Sequence, residues 1–301
     1  MKTEKNIHGV VTTPLTVWDS KGDPDKERTK KYIRHLIAEG VHAIFYPGSA
    51  SEFGLMSTDE QKEMISLGIE AAQGKVPVLS GTGHNSTKHA VRLSQYAEKA
   101  GADAVMLALP HDPKPTQEGL YMHYKAVAQS IKIPVFVYSW PKSFGVEIDP
   151  ETVARLADEG YVHGIKDAAD DLWHMAEIIR LTQGKITVLA GVDPTCLGGL
   201  CLGADGVMSS AADIVPGDVV RMYNLFREGK LKEAAELQLL LLGIFKALCT
   251  VRDRDSLVIL REGNKMLGQD MGEPVLPSTK DFPPVMLENL RKELKKLGRL
   301  K

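Results

Sequence analysis

The sequence predicts an α/β fold, a (β/α)₈ TIM barrel followed by a C-terminal helical appendix. Short apolar runs, many of them rich in β-branched residues, alternate with longer amphipathic segments. This alternation occurs about eight times, and after about Val215 only helical patterns remain. Strands that alternate with helices are typical of a parallel sheet, and eight such units favour a closed barrel.

Each predicted strand is a continuous apolar run, as expected for strands that are covered on both faces. An open doubly wound sheet is the alternative. It is disfavoured because Thr12–Leu15, which follow the first predicted strand, contain no glycine-rich dinucleotide fingerprint. The predicted strands are residues 7–13, 43–47, 76–80, 104–109, 133–138, 162–166, 186–190 and 206–210.

The segments between the strands have helix start and stop signals. Ser57 lies three residues before Glu60, which predicts a capping box, and Pro150 suits a first helical turn. Glycines stand where helices are expected to end, at positions 40, 74, 101, 160 and 184. The predicted helices are residues 25–39, 58–72, 87–100, 116–130, 150–158, 170–181 and 194–202.

Four further helices are predicted at 215–227, 231–250, 255–267 and 284–298, and the last three form the appendix. We therefore predict a catalytic barrel domain over residues 1–228 and a C-terminal helical region over residues 229–301. Such an appendix packs on the barrel or builds a subunit interface.

The composition is that of an ordinary globular protein rather than a nucleic-acid or membrane-surface protein. The 301 residues carry a net charge of −2, so the charge balance gives no reason to expect nucleic acid or an anionic membrane as a partner. The longest apolar run, Leu239–Phe245, is too short to span a bilayer. The N-terminal residues lack an apolar stretch of signal-peptide length, so a cytoplasmic location is predicted.

The three cysteines, Cys196, Cys201 and Cys249, do not form a disulfide framework and are interpreted as small core residues. No spacing of histidine, aspartate and glutamate predicts a metal site.

The active site of a barrel lies at the C-terminal ends of its strands, where the sequence places a lysine and a tyrosine. Lys166 ends the sixth predicted strand. Poor solvation there disfavours the ammonium form, and a neutral amine can attack a ketone to give an imine. Tyr138 ends the neighbouring fifth strand, where a phenol can move protons; a packed aromatic residue is the alternative.

Three loops at the same end of the barrel have ambiguous polar residues. Gly48–Glu52 could offer backbone N–H groups to a carboxylate, or be a plain turn. His84 could be a general base, but loop shaping, with a helix cap from Asn85 or Ser86, is the simpler interpretation. Asp193, after the seventh strand, is equally open.

Nearly the whole chain resembles the dihydrodipicolinate synthase/N-acetylneuraminate lyase family of pyruvate-dependent aldolases. The motifs that carry the resemblance are Gly48–Glu52, Gly81–Thr87, Lys114–Tyr121, Tyr138–Pro141 and Gly164–Lys166. The resemblance implies a barrel fold and a Schiff-base mechanism. It also implies a homotetramer or homodimer and no metal or organic cofactor.

The resemblance implies a role for several residues. Lys166 matches the Schiff-base lysine, Tyr138 the proton-shuttling tyrosine, and Ser49 the hydroxyl that links to that tyrosine. The backbone around Ala50 and Ser51 matches the part that binds the 2-oxo-acid carboxylate. Met208, in the eighth predicted strand, is also expected to contact the substrate.

Three departures concern the substrates. Ala50 replaces a second loop hydroxyl, so one carboxylate hydrogen bond is missing unless Ser51 supplies it. Asp112 stands where a synthase places a tyrosine donated across the subunit interface. Ser143 stands where a synthase places an arginine that binds the aldehyde's carboxylate, and the loss of such a partner weakens recognition.

The catalytic pair is therefore kept while the contacts to the second substrate change, which predicts a lyase with a different acceptor. The expected substrate is a 2-oxo acid, such as a 2-oxo-3-deoxy sugar acid or a 4-hydroxy-2-oxo acid, that is cleaved, formed or dehydrated through an imine on Lys166. The alternative is 4-hydroxy-tetrahydrodipicolinate (dihydrodipicolinate) synthase of lysine biosynthesis. A hypothesis of another class is a non-catalytic relative that binds a 2-oxo acid.

Overall fold

Eight parallel strands close into a barrel, as the sequence predicts, and the open-sheet alternative is wrong. The computed structural model describes residues 7–249 and 255–301. Each strand pairs with the next along the chain, and β8 pairs with β1 to close the barrel. The strands are β1 Gly9–Thr12, β2 Ala43–Phe45, β3 Val78–Gly81, β4 Ala104–Ala108, β5 Val135–Ser139, β6 Gly164–Asp167, β7 Thr187–Ala190 and β8 Gly206–Ser209.

Helices connect the strands and form the outer layer. A four-residue helix after β5 and short 3₁₀ turns at residues 53–55, 193–195 and 211–213 are additions that the sequence does not predict. The helices are α1 Lys26–Ala38, α2 Thr58–Ala72, α3 Thr87–Ala100, α4 Gln117–Ala128, α5 Pro141–Phe144, α6 Pro150–Asp158, α7 Leu172–Thr182, α8 Cys196–Leu202 and α9 Pro216–Arg227.

Most of the predicted helix boundaries have the expected local chemistry. Ser57 and Glu60 form the predicted capping box at the start of α2. The five glycines predicted to end helices all have φ angles in the left-handed region, between +69° and +98°. The capping prediction for α3 is wrong. Ser86 occupies the N-cap position without a side-chain cap bond, and the Asn85 Oδ1 atom accepts the His111 N–H instead.

Side chains from the strands fill the barrel interior in a buried cluster that includes Val11, Met106 and Leu189. Gly164 shows how tightly this interior is packed. A Cβ atom at Gly164 would lie 2.1 Å from the Phe136 ring, so the glycine makes room for that ring. A second, larger cluster lies between the strands and the helices.

The C-terminal helices are α10 Leu231–Cys249, α11 Asp255–Met266 and α12 Val285–Lys296. Residue 250, the predicted end of the helix at 231–250, lies outside the described residues. Phe245 of α10, Ile259 of α11 and Leu290 of α12 are buried in the same cluster as the helices around the barrel. The division at residues 228 and 229 stays a prediction, and the two stretches share one hydrophobic core.

The prediction that the cysteines are core residues is right for Cys196 and wrong for Cys201. Cys196 is buried, and its thiol donates to the Gln238 Oε1 atom. Cys201 is exposed because it lies on the solvent side of α8. The side chain of Cys249 is outside the described part of the chain.

Candidate active site

Lys166 and Tyr138 lie directly opposite each other on neighbouring strands, β6 and β5. Only 7% of Lys166 and 3% of Tyr138 is exposed. The Lys166 Nζ atom is 4.0 Å from the centre of the Tyr138 ring. The structure therefore brings the two predicted catalytic side chains together, in a poorly solvated place near the C-terminal ends of their strands.

The Lys166 side chain passes close to the end of β7. A Cβ atom at Gly191 would lie 2.9 Å from the Lys166 Cγ atom, which is closer than real Cβ contacts allow. Gly191 therefore leaves the space that the lysine stem occupies.

Asp193, two residues further along, adds a buried carboxyl group to this end of the barrel. Its Oδ2 atom accepts the N–H groups of Ser210 and Ala211, and its Oδ1 atom has no partner within the described residues. Burial raises the pKa of Asp193, although these bonds and the charge of Lys166 act in the opposite direction.

The loop after β2 has one hydroxyl in use and one without a partner. The Ser51 hydroxyl donates to the Pro14 carbonyl (2.7 Å) and accepts the Gly48 N–H (2.9 Å). Ser51 is therefore committed to shaping the loop, and its hydroxyl does not replace the one that Ala50 lacks. The Ser49 Oγ atom is buried without a hydrogen-bond partner among the described residues, so the expected link to Tyr138 is not formed here.

The predicted acceptor residues lie further out. Asp112 and Ser143 are both exposed, on the segments that follow β4 and β5. Met208 is buried inside the barrel, in the same cluster as Tyr138. The roles predicted for these three residues stay predictions.

Aromatic side chains whose packing the sequence analysis did not predict form a wall beside Tyr138. The rings of Trp140 and Phe144 are half-buried, with centres 6.3 Å and 5.4 Å from that of Tyr138. His111 stacks on Phe144 at 5.5 Å. A sequence signal was present, because Trp140 directly follows the strand that carries Tyr138, and Phe144 lies four residues further on.

A second missed feature is the buried contact between Asp167, the residue after Lys166, and His174. The His174 Nδ1 atom lies 3.1 Å from Asp167 Oδ2, and Nε2 lies 3.0 Å from the Ile148 carbonyl oxygen. Both neighbours are acceptors, so the ring donates from both nitrogens as an imidazolium. Burial alone would lower the pKa of His174, but the Asp167 carboxylate and the Ile148 carbonyl raise it to about 9.

The structure favours the loop-shaping interpretation of His84 over that of a general base. Its Nδ1 atom accepts the Ser86 N–H at 2.8 Å, within its own loop. Burial and the neighbouring His89 lower the pKa of His84. No group of three or more potential metal ligands occurs within residues 7–249 and 255–301. Of the helices described, none is long and apolar enough to cross a membrane.

An eight-stranded barrel with a buried lysine beside a tyrosine on the neighbouring strand is the arrangement expected of an enzyme that uses an amine nucleophile. The profile of the Dihydrodipicolinate synthetase family matches residues 6–295. The chain belongs to this family, as the sequence resemblance predicts.

Individual proteins agree with this assignment. The chain is 34% identical to the 4-hydroxy-tetrahydrodipicolinate synthase of Methanopyrus kandleri, covering 98% of this chain and 97% of that protein. A monomeric dihydrodipicolinate synthase variant has a similar structure, with a TM-score of 0.91, 32% identity and 99% coverage of each chain. So does YagE, a prophage protein of this family from E. coli K12 solved with pyruvate, with a TM-score of 0.91, 29% identity and coverage of 97% of this chain and 99% of that one.

Family membership confirms the prediction that the chain is an enzyme, a lyase of the class I aldolase type.

Proposed function

We propose that the chain is a pyruvate-dependent aldolase in which Lys166 forms a Schiff base with the 2-oxo acid. The observation that supports this proposal is the Lys166 Nζ atom 4.0 Å from the Tyr138 ring, in a buried setting on adjacent strands. A neutral amine there attacks the C2 carbonyl carbon to give a carbinolamine, which loses water to give an imine.

Tyr138 is the proton carrier in this proposal. Its hydroxyl gives a proton to the leaving hydroxyl of the carbinolamine and later moves protons to and from the aldol oxygen. The imine draws electrons from C3, which loses a proton to give an enamine. The enamine then attacks an aldehyde, and cleavage is the reverse. Because the imine is the electron sink, the proposed chemistry uses no metal and no organic cofactor.

The loop after β2 is proposed to hold the carboxylate of the 2-oxo acid. Ser49 offers an unused hydroxyl, and no acceptor for the Ala50 N–H is found in the described part of the chain. Both are hydrogen-bond donors suited to a carboxylate oxygen.

For the second substrate, the comparisons favour the synthase over the sugar-acid lyase that the sequence analysis put first. The Methanopyrus kandleri relative, which matches almost the whole chain, is named 4-hydroxy-tetrahydrodipicolinate synthase. We therefore propose condensation of pyruvate with aspartate semialdehyde as the first reaction to assay. The sugar-acid reaction remains the second candidate, because Ser143 and Asp112 stand where a synthase is expected to have an arginine and a tyrosine.

Borohydride trapping with pyruvate, followed by mass spectrometry of the Lys166 peptide, tests the Schiff base. We expect a reduced pyruvyl adduct in the wild type and none in Lys166→Ala, with turnover abolished. The control is Lys142→Ala, which replaces an exposed lysine on α5, the helix that follows β5. This variant should still form the adduct. Pyruvate binding without an adduct would instead support the non-catalytic relative.

A further inference from the structure

Glu52, at the end of the proposed carboxylate loop, is a buried and charged anchor. Its carboxylate accepts the Trp18 indole N–H at 2.6 Å and forms an ion pair with the Arg261 guanidinium. The side chains of Glu52 and Arg261 are both almost completely buried. Glu52 also has a φ angle of 59°, a left-handed conformation that a non-glycine residue adopts at a cost. Contacts from outside the loop must therefore hold it in place.

Arg261 reaches the loop from α11, 209 residues further along the chain. The same guanidinium donates to the Thr16 carbonyl at 2.7 Å and to the Met271 carbonyl at 3.0 Å. One side chain thus ties the segment after β1, the loop after β2 and the segment after α11 together. The planar fork of arginine suits such a junction, because its donors point in fixed directions.

The ion pair fixes a geometry rather than simply adding stability. Burying two charges carries a desolvation cost, and well-packed apolar side chains often stabilise a fold equally well. Directly before Glu52, the loop is shaped by Ser51, which bonds to Pro14 and Gly48. Ser51 and Glu52, whose side chains bond to residues outside this stretch, are consecutive and directly follow the donors of Ser49 and Ala50.

We propose that Arg261 is a positioning residue for the 2-oxo acid. Through Glu52 it holds the loop in the conformation that presents the Ser49 hydroxyl and the Ala50 N–H to the substrate carboxylate. This inference rests on the proposed function. It assigns part of the active-site geometry to the C-terminal helical region, through a side chain that lies outside the barrel strands and their loops.

The test compares Arg261→Met and Arg261→Lys with Asn264→Ala. Asn264 is a matched control because it is buried on the same helix and donates to the Asp213 carbonyl instead of the loop. For each variant, circular dichroism and Tm report folding, and borohydride trapping gives the pyruvate concentration for half-maximal adduct formation.

We expect Arg261→Met to raise that concentration roughly tenfold to hundredfold, since misplaced binding groups have effects of this size. Arg261→Lys should recover part of the loss. Asn264→Ala should lower Tm and leave the pyruvate dependence unchanged. The adduct level at saturating pyruvate should remain near that of the wild type in all folded variants.

An unchanged pyruvate dependence in folded Arg261→Met would overturn the inference, as would a shift in Asn264→Ala of the same size at equal loss of Tm. If Arg261→Met does not fold, Trp18→Phe is the second variant, because it removes only one donor to Glu52. We expect it to raise the pyruvate concentration for half-maximal adduct formation, as Arg261→Met would. An unchanged concentration in Trp18→Phe would also overturn the inference. Absence of an adduct in the wild type would instead refute the proposed function.

Discussion

Asp167, the residue after Lys166, shows how a single buried contact can make stability depend on pH. Asp167 and His174 form a buried pair in which the imidazolium donates from both ring nitrogens. The contact lies at the end of β6, so it also fixes the backbone that carries Lys166. Glu147 is a further negative charge that favours the protonated ring.

This pair predicts a loss of stability in mild alkali. The pKa of His174 is about 9 in the folded protein, against 6.5 for an ordinary histidine, so folding favours the protonated ring. The resulting stabilisation is fully present below about pH 6.5 and is lost as the pH rises through about 9. It amounts to on the order of 3 kcal/mol. Urea unfolding of the wild type and His174→Gln between pH 6 and 9.5 measures it.

We expect the difference in unfolding free energy between the two proteins to be largest at pH 6 and to shrink toward pH 9.5. The comparison removes the contribution of groups that titrate in both proteins. A difference that stays constant over this range would show that His174 is neutral in the folded state.

At the scale of single elements, the short helix α5 packs beside Tyr138, and we expect it to line the space for the acceptor. Trp140 is the N-cap residue of this helix and Phe144 is its last residue, and both rings pack against Tyr138. Replacing Phe144 by Ala removes the ring on which His111 stacks and opens the wall. We expect kcat/KM for the acceptor aldehyde to change by roughly tenfold or more, because a bulky contact beside the reacting centre is lost.

The matched measurement for Phe144→Ala is borohydride trapping with pyruvate alone, which does not involve the acceptor. Its pyruvate dependence should remain near that of the wild type. Loss of the pyruvate adduct in this variant would show that α5 supports Tyr138 itself rather than the acceptor.

The sequence predicts the elements well where local chemistry determines them. The capping box at Ser57 and the glycines after the helices act within a few residues, so their pattern is readable. The helix α5 was missed because its four residues, Pro141–Phe144, are too few for a hydrophobic period. Lys166 and Tyr138 were predictable because strand order alone places them side by side.

Contacts between distant segments could not be predicted in the same way. The pairing of Glu52 with Arg261 depends on how α11 packs over the barrel, and no local pattern encodes it. The sequence signal was that the charged Arg261 directly follows the apolar run of residues 257–260. The hydrogen bond from the Ser51 hydroxyl to the Pro14 carbonyl likewise depends on three-dimensional proximity. For this reason the sequence could not decide whether Ser51 is free to bind the substrate carboxylate.

At the scale of the whole molecule, the C-terminal helices brace several loops at the catalytic end of the barrel. Gln238 of α10 donates to the Asp193 and Pro194 carbonyls. Arg261 adds the loop after β2. We therefore propose that residues 229–301 complete the catalytic scaffold rather than form a separate module.

The surface near α7 and α8 supports the prediction of a homo-oligomer. Trp173 is 75% exposed, and Leu172 and Leu202 are also exposed large apolar side chains. Leu172 lies beside Gly198, which is one helical turn from Leu202 on α8, and Trp173 follows Leu172 directly in the chain. Exposed apolar patches often mark contacts between proteins.

We expect the wild type to sediment above its monomer mass of 33.0 kDa and Trp173→Arg to shift toward that mass. A buried arginine without a partner would carry a large desolvation cost at an interface. Leu276→Arg is the control, because Leu276 is 77% exposed and lies in the segment between α11 and α12. Analytical ultracentrifugation at several concentrations, with circular dichroism to check folding, makes the comparison. A wild type that is monomeric at all concentrations, or a folded Trp173→Arg variant with unchanged mass, would show that these apolar side chains are not the subunit contact.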